Sequence, residues 1–282
     1  MSDTTANANL TSPIIPQPDA PGQIVGMVLQ NTGTAATAAN TEVTFGQAFL
    51  PGAVQPGQQL YATINGTEIP VQMDTKTFNA DGSVNDAVLT FAAPSIAANS
   101  SANIMLSVGP ALAAQPAAID LAAALKNYSL TVDLAIQTGT TSAPATTNYH
   151  IDAVAAMEAA LANGTASYWQ QGPNATQARV TVPVTKAMQM VFDITANANG
   201  TFTTDVQFLN DEGYVQNAWG QPLNRNGQVV ASDPSGGVET YSETITQNGQ
   251  IVSNNSNIQQ GMYQNWHTVV TTQPSASQIN VQ

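Results

Sequence analysis

The sequence predicts a mainly β protein: a small β-barrel, then a second β-sandwich or barrel, with one or two short helices between. Three observations lead there. Short runs of alternating apolar and polar residues recur along the 282-residue chain. Between them stand Asn-Gly, Asp-Gly and Pro-Gly pairs, the local chemistry of hairpin turns, since a type I′ turn needs φ > 0 at both central residues. Only two stretches show helical spacing, and both are short.

Residues 1–22 are rich in Thr, Asn and Pro, with Pro13, Pro16, Pro18 and Pro21. Such a segment cannot bury enough apolar surface to fold alone. Its prolines also deny it helix and central-strand roles. It reads as an extended arm, expected to cross onto a neighbouring subunit. It has neither a basic n-region nor an apolar h-region, so no Sec signal peptide is expected.

Residues 23–110 carry the barrel. Its strand-like runs are Gln23–Gln30, Thr41–Leu50, Gln59–Ile64, Glu68–Met73, Ala87–Phe91 and Ala102–Val108. Turn signals stand at Pro51-Gly52, Pro56-Gly57, Asn65-Gly66 and Asp81-Gly82. A strand/helix connection follows over 111–164. Ala117–Lys126 is a short Ala/Leu-rich helix, with Lys126 where a cation suits the helix dipole. Tyr128–Gln137 alternates as a strand, and Thr138–Thr147 reads as a loop. Ile151–Ala162 is the better helix: Ile151, Val154, Ala155, Met157, Glu158 and Leu161 fall on one face. Asn163-Gly164 stands where its C-cap belongs.

The second β domain occupies 165–282. Arg179–Val184, Met188–Ala196, Thr201–Asn210, Val238–Gln247 and Gln250–Ser253 alternate. Turns are expected at Asn199-Gly200, Asn226-Gly227, Gly236-Gly237 and Asn248-Gly249. The two β halves share a hairpin-rich style without an exact repeat.

Composition bounds the function. The chain has 5 Lys+Arg, 18 Asp+Glu, 2 His and no Cys, for a net charge of −13. Charged residues make up 8%, against roughly 25% in ordinary soluble domains. No basic stripe exists to replace phosphate counterions, which argues against nucleic acid and against docking on anionic membranes. No apolar run is long enough for a transmembrane helix. Without Cys there is no disulfide, thiol catalysis or thiolate metal site. A Cys-free, Lys-poor chain rich in Asn, Thr and Gln fits a place outside a reducing cytosol: extracellular, or in a virus particle.

Ser-His-Asp catalysis would have to use His150 or His267, and no Gly-x-Ser-x-Gly elbow accompanies either. A structural or interface role is expected for His267. Paired carboxylates could hydrolyse glycans, with Glu158, Asp193, Asp205, Asp211 and Glu212 as candidates. Asp193 and Asp205 are expected to be neighbours across Asn199-Gly200, but nothing fixes a catalytic spacing. Asn79, Asp81, Ser83, Asn85 and Asp86 resemble a calcium loop, yet Val88 stands where the bidentate Glu should be, so a hairpin turn is favoured. No catalytic, cofactor or metal residue is assigned. Tyr168, Trp169, Trp219, Tyr263, Trp266 and His267 are candidate contacts. Their rings read first as subunit anchors, next as core edges and last as glycan-stacking platforms.

One stretch carries a resemblance. Within 42–109 a short strand, a Pro-Gly turn, the "PVQ" strand (Pro70–Gln72), the "DGSV" hairpin (Asp81–Val84) and the apolar "AVLTF" strand (Ala87–Phe91) follow in order. This series resembles the N-terminal RIFT-type β-barrel of the bacterial exo-rhamnogalacturonan-lyase-like (PcRGLX/YetA-like) proteins. The later "SYWQQGP", "RVTVPV" and "YQNWHTVV" stretches resemble uncharacterised bacterial and phage proteins with such a barrel. The resemblance covers about a quarter of the chain and rests on turn and core positions. It implies a RIFT-like scaffold or docking module. The family's chemistry is expected in a large helical toroid, which this chain has no segment to form, so no catalytic residue is carried over.

The expectation is a non-enzymatic structural or adhesion subunit of an extracellular assembly, most simply a bacteriophage virion (tail, baseplate or capsid-associated). Its partners would be copies of itself, other subunits and a surface glycan. The alternative is a carbohydrate-binding or carbohydrate-active module related to polysaccharide lyases.

Overall fold

A computed structural model describes residues 14–112, 114, 116–137, 145–185, 187–211, 215–216, 222–223, 239–261, 263–272 and 279–281. In chain order, the first strands are β1 (Gln23–Asn31), β2 (Thr41–Ala48), β3 (Gln59–Ile64), β4 (Thr67–Phe78), β5 (Val84–Ala93) and β6 (Ser100–Gly109). Next come α1 (Leu121–Leu125), β7 (Leu130–Gln137), β8 (Thr146–Asp152), α2 (Ala153–Ala162), β9 (Ser167–Gln171), β10 (Ala175–Pro183), β11 (Met188–Asn197) and β12 (Phe202–Asn210). The rest are β13 (Val215–Gln216), β14 (Pro222–Leu223), β15 (Glu239–Gln247), β16 (Gln250–Gln260), β17 (Asn265–Thr271) and β18 (Ile279–Val281). The protein is mainly β, as the alternation predicts.

The first unit is one antiparallel sheet in the order β18-β1-β6-β3-β4-β5-β2. It curls into a half-barrel around Leu29, Leu60, Ile64, Leu89, Phe91 and Ile104, all buried. Among the described residues no ladder joins β2 to β1 or β18, so the barrel is open there. The turn chemistry sets its hairpins. Asn65 and Gly66 both have positive φ (51° and 79°) and join β3 to β4, as a type I′ turn requires.

The second unit packs a sheet of order β17-β12-β11-β10-β9 against one of order β16-β15-β7-β8. Period-2 burial builds its core. Leu130, Val132, Leu134 and Ile136 point inward from β7, and Phe202, Val206 and Phe208 from β12. Helices α1 and α2 add Leu121, Leu125, Ala153 and Met157 to that core. Residues read as a connection over 111–164 therefore contribute α1, β7, β8 and α2 to the second unit. The chain end does the reverse, since β18 returns to pair with β1 at Leu29–Asn31.

Several local expectations change. The first helix is shorter because Asp120, whose side chain accepts from the Ala123 N–H, caps it and forces its start past Asp120. Asp152 caps α2 in the same way, so Ile151 belongs to strand β8 rather than opening the helix. The buried face of α2 is Ala153, Met157 and Ala160. Strands β8, β9 and β17 form where no strand is predicted.

The arm also differs from expectation over its described part. Pro16 lies on Gly26 of β1, where an added Cβ would collide with the Pro16 carbonyl. Gln23 accepts from the Asp19 and Ala20 N–H groups. Residues 14–22 thus pack on their own barrel. The rest of the arm, 1–13, and the turns at Asn226-Gly227 and Gly236-Gly237 lie outside the described residues.

The two units are joined through Gln72 of β4, which is buried. Its Nε2 donates to the Ala175 carbonyl (2.8 Å), and its Oε1 accepts from the Asn174 and Ala175 N–H groups (2.8 and 2.9 Å). Gly172 passes so close that any Cβ would strike the Gln72 amide, a close approach only glycine permits. Gln170 Nε2 donates to the Thr90 hydroxyl (2.7 Å) and Asn174 Nδ2 to the Thr90 carbonyl (2.9 Å).

Candidate functional site

The seam around Gln72 carries a concave surface walled by both units. Strand β4 presents Gln72 and Asp74 at alternate positions of one sheet face, and Lys76 at the bulge where its register against β5 shifts. Facing them is the run from Trp169 to Ala175. Asp74 Oδ1 accepts from the Gln171 N–H (2.8 Å), and its Oδ2 accepts from Gln72 Nε2 (2.7 Å). Lys76 donates to the Trp169 carbonyl, and its ammonium lies 4.3 Å from the centre of the Trp169 ring, a cation–π contact. Beside this seam opens a cleft of about 840 Å³. Its walls come from both units: Gln58, Gln59, Pro70 and Met73 from one, Gln171 and Asn174 from the other.

Of the predicted aromatic contacts, Tyr168 and Trp169 belong to this region. They stand on edge strand β9, 44% and 54% exposed. Trp266 does not. It is half-buried and stacked on Phe208 (ring centres 4.2 Å apart), with its Nε1 donating to Tyr241 Oη. It is a core edge. Tyr241 in turn donates to Gln260 (2.8 Å), and burial holds its phenol above the usual range. Tyr263 is 73% exposed with φ 56° and shares a shallow depression with Trp266. Trp219 lies outside the described residues.

His267 and the paired carboxylates form a ladder across the outer face of the five-stranded sheet. Asp193 and Asp205 are directly opposite in the β11–β12 register, as the Asn199-Gly200 hairpin predicts. Arg179 grips both oxygens of Asp193 (2.7 Å each). Those bonds hold the Arg179 guanidinium above its usual value. Gln207 bridges Asp193 and Asp205 (2.9 and 3.0 Å), and His267 Nδ1 meets Asp205 at 2.7 Å. Every carboxylate here is committed to a neighbour, so the geometry is that of a cross-strand charge ladder.

His150 makes a similar pair with Asp133 across β7–β8 (2.7 Å). Ser242 and Thr244 share its shallow depression, yet no hydrogen bond joins either hydroxyl to His150 among the described residues. A Ser-His-Asp relay is therefore not assembled there. Glu212 lies outside the described residues. Asp211 accepts from Gln189, and Glu158 lies on an exposed position of α2.

The Asp81 loop is a turn. Asp81 Oδ1 accepts from the Ser83 N–H (3.0 Å) and hydroxyl (2.6 Å), which hold its carboxyl below the usual range. No group of three or more His, Asp or Glu is placed to hold a metal ion among the described residues. No helix among them is long and apolar enough to cross a membrane.

Lys76, Gln72 and Asp74 carry no signal in the sequence. Their partners lie about a hundred residues away, and no local pattern records such a pairing. Compared with protein-family models and with curated proteins, the chain matches none.

Proposed function

We propose that this protein is a non-enzymatic structural or adhesion subunit of an extracellular assembly, with a bacteriophage virion as the setting its composition fits best. The half-barrel is read as a RIFT-type scaffold. The observation that carries the reading is strand β16. It is an 11-residue strand at the end of its sheet, largely exposed, and its sequence QIVSNNSNIQQ holds no charge and no proline. Free-standing proteins blunt such edges with Lys, Pro, inward charges or β-bulges, because an open edge templates pairing with another chain. Strand β16 has no charge or proline, and its register against β15 shifts twice, so the stretches open to pairing are short. Here Ile251 and Val252 stand 65% and 44% exposed at its start. A net charge of −13 with no Cys suits a chain that works among partners outside a reducing compartment.

Sedimentation velocity over a range of concentrations tests this. The chain is expected to associate through β16, and Ile251→Lys to shift it towards monomer. A chain that stays monomeric at every concentration contradicts the proposal. A second reading, carbohydrate binding, is favoured by the half-exposed Trp169 and Tyr168 beside the cleft between the units.

A further inference from the structure

We propose that Asn65 is a site of spontaneous covalent modification, where the Asn65-Gly66 pair closes to a cyclic imide and opens to aspartate and isoaspartate ahead of the other Asn-Gly pairs the structure describes. The inference is independent of the assembly reading.

The chemistry needs no enzyme. The Gly66 amide nitrogen gives up its proton and attacks Cγ of Asn65. The N–Cγ bond forms, the Cγ–Nδ2 bond breaks, and Nδ2 leaves as ammonia with that proton. Water then adds to one of the two imide carbonyls. Opening on one side leaves aspartate. Opening on the other leaves isoaspartate, whose main chain runs through the former side chain. In sum, amide and water become acid and ammonia. Glycine favours the attack because no Cβ shields its nitrogen.

Five Asn-Gly pairs occur, beginning at Asn65, Asn163, Asn199, Asn226 and Asn248. Asn226-Gly227 lies outside the described residues. The other four are all exposed, so exposure does not rank them. Thr follows the glycine at the first three, so sequence context does not separate those either. Hydrogen bonding does. Asn199 Oδ1 accepts from the Thr201 N–H (3.0 Å) and hydroxyl (2.6 Å), its Nδ2 donates to the Asn40 carbonyl (3.1 Å), and the Gly200 N–H donates to the Asn197 carbonyl (2.9 Å). At the end of α2 the Gly164 N–H donates to the Leu161 carbonyl (3.2 Å) and the Asn163 N–H to the Ala159 carbonyl (3.0 Å).

Asn248-Gly249 makes the closest comparison, because it is the same kind of turn. Both of its residues have positive φ (48° and 75°), as at Asn65-Gly66 (51° and 79°). Yet Asn248 is tied to Ser129: its Oδ1 accepts from the Ser129 N–H (2.9 Å), and its own N–H donates to the Ser129 carbonyl (3.0 Å). Neither the Asn65 side chain nor the Gly66 N–H makes a hydrogen bond among the described residues. A Cβ built on Gly66 would meet nothing within 4 Å, so the tip has room to turn. Ring closure takes Asn65 out of the left-handed region, and the Ile64–Thr67 pair is what flanks the tip. So local an opening lies at the low end of a protein's opening energies. The other pairs must first give up hydrogen bonds, which slows closure about tenfold or more.

The product bears on the fold. Isoaspartate lengthens the main chain at a two-residue turn, and turn length sets the register of β3 against β4. Strand β4 carries Gln72, which joins the two units. Either product adds a negative charge to a chain already at −13.

The test holds the native chain in mildly alkaline buffer below its melting temperature, then maps its peptides by mass spectrometry. Asn65 is expected to turn into aspartate and isoaspartate about tenfold faster than Asn163, Asn199 or Asn248. In the urea-unfolded chain, where no fold ranks them, all four should convert at similar rates. Asn65→Gly, which keeps a pair suited to a type I′ turn, should remove the fastest of these sites from the native chain. Native conversion at Asn163, Asn199 or Asn248 that matches Asn65 would overturn the inference. So would an Asn65 that keeps its amide in the native chain and loses it in the unfolded one, or an equal lead for Asn65 in the unfolded chain.

Discussion

Glu42 shows how one residue can set a pH response. It sits on β2, its Oε2 is buried without a hydrogen bond, and no cation lies against it among the described residues. Burial therefore pushes its carboxyl from 4.5 up to about 7. A carboxyl with a raised folded-state pKa favours the fold when protonated. That contribution is complete below 4.5 and is lost as pH rises through about 7. Melting temperature should fall between pH 5 and pH 8. Because the side chain stays partly open to solvent, which screens the effect, on the order of 1 kcal/mol is withdrawn. Glu42→Gln should flatten this slope, and the check is a melt series of both chains. An unchanged slope in the variant would assign the response elsewhere. Nothing in the sequence marks Glu42. The candidate site shows the same limit: Tyr168 and Trp169 are visible as an aromatic pair, but the groups that make a cleft beside them meet only through long-range packing.

Two turns, one in each unit, are built alike. In Asn79-Ala80-Asp81-Gly82-Ser83 the Asn79 N–H donates to the Ser83 carbonyl, and Ser83 bonds back to Asp81. In Asn197-Ala198-Asn199-Gly200-Thr201 the same atoms meet at nearly the same distances, with Asn199 in the place of Asp81. The turn needs an acceptor oxygen, and an uncharged amide serves, so neither turn requires a cation. Only the glycine has positive φ in each (84° and 80°). These are longer turns than the type I′ pairs at Asn65-Gly66 and Asn248-Gly249, where both residues are positive. Gly82→Val has open space for its side chain, so its cost, about 1–3 kcal/mol, is backbone strain alone. Added calcium should leave the melting temperature where it is. A marked rise would make the Asp81 loop a metal site. Hairpins of this kind are legible because their cause is local. Strands β9 and β17 are not, since SYWQQ and NWHTVVT are made strands by neighbours, with β17 laid along β12 and β9 along β10.

At the scale of the molecule, the chain builds two cores and sews them together. One core gathers residues from Met27 to Leu106, the other from Leu121 to Val270. The last strand then crosses back to β1. Alternation and turn pairs foretell two β units, but the return of β18 and the entry of α1 and β7 into the second core depend on which surfaces find each other. Among the described residues the molecule leaves an uncharged edge at β16, a half-closed barrel and a cleft at the seam, the features that the proposed assembly would use. The central claim is that this chain works as a subunit. Mass photometry of native material tests it most directly: the account predicts the chain in a particle many times its own 29.2 kDa, and native protein found only at the mass of the single chain would contradict it.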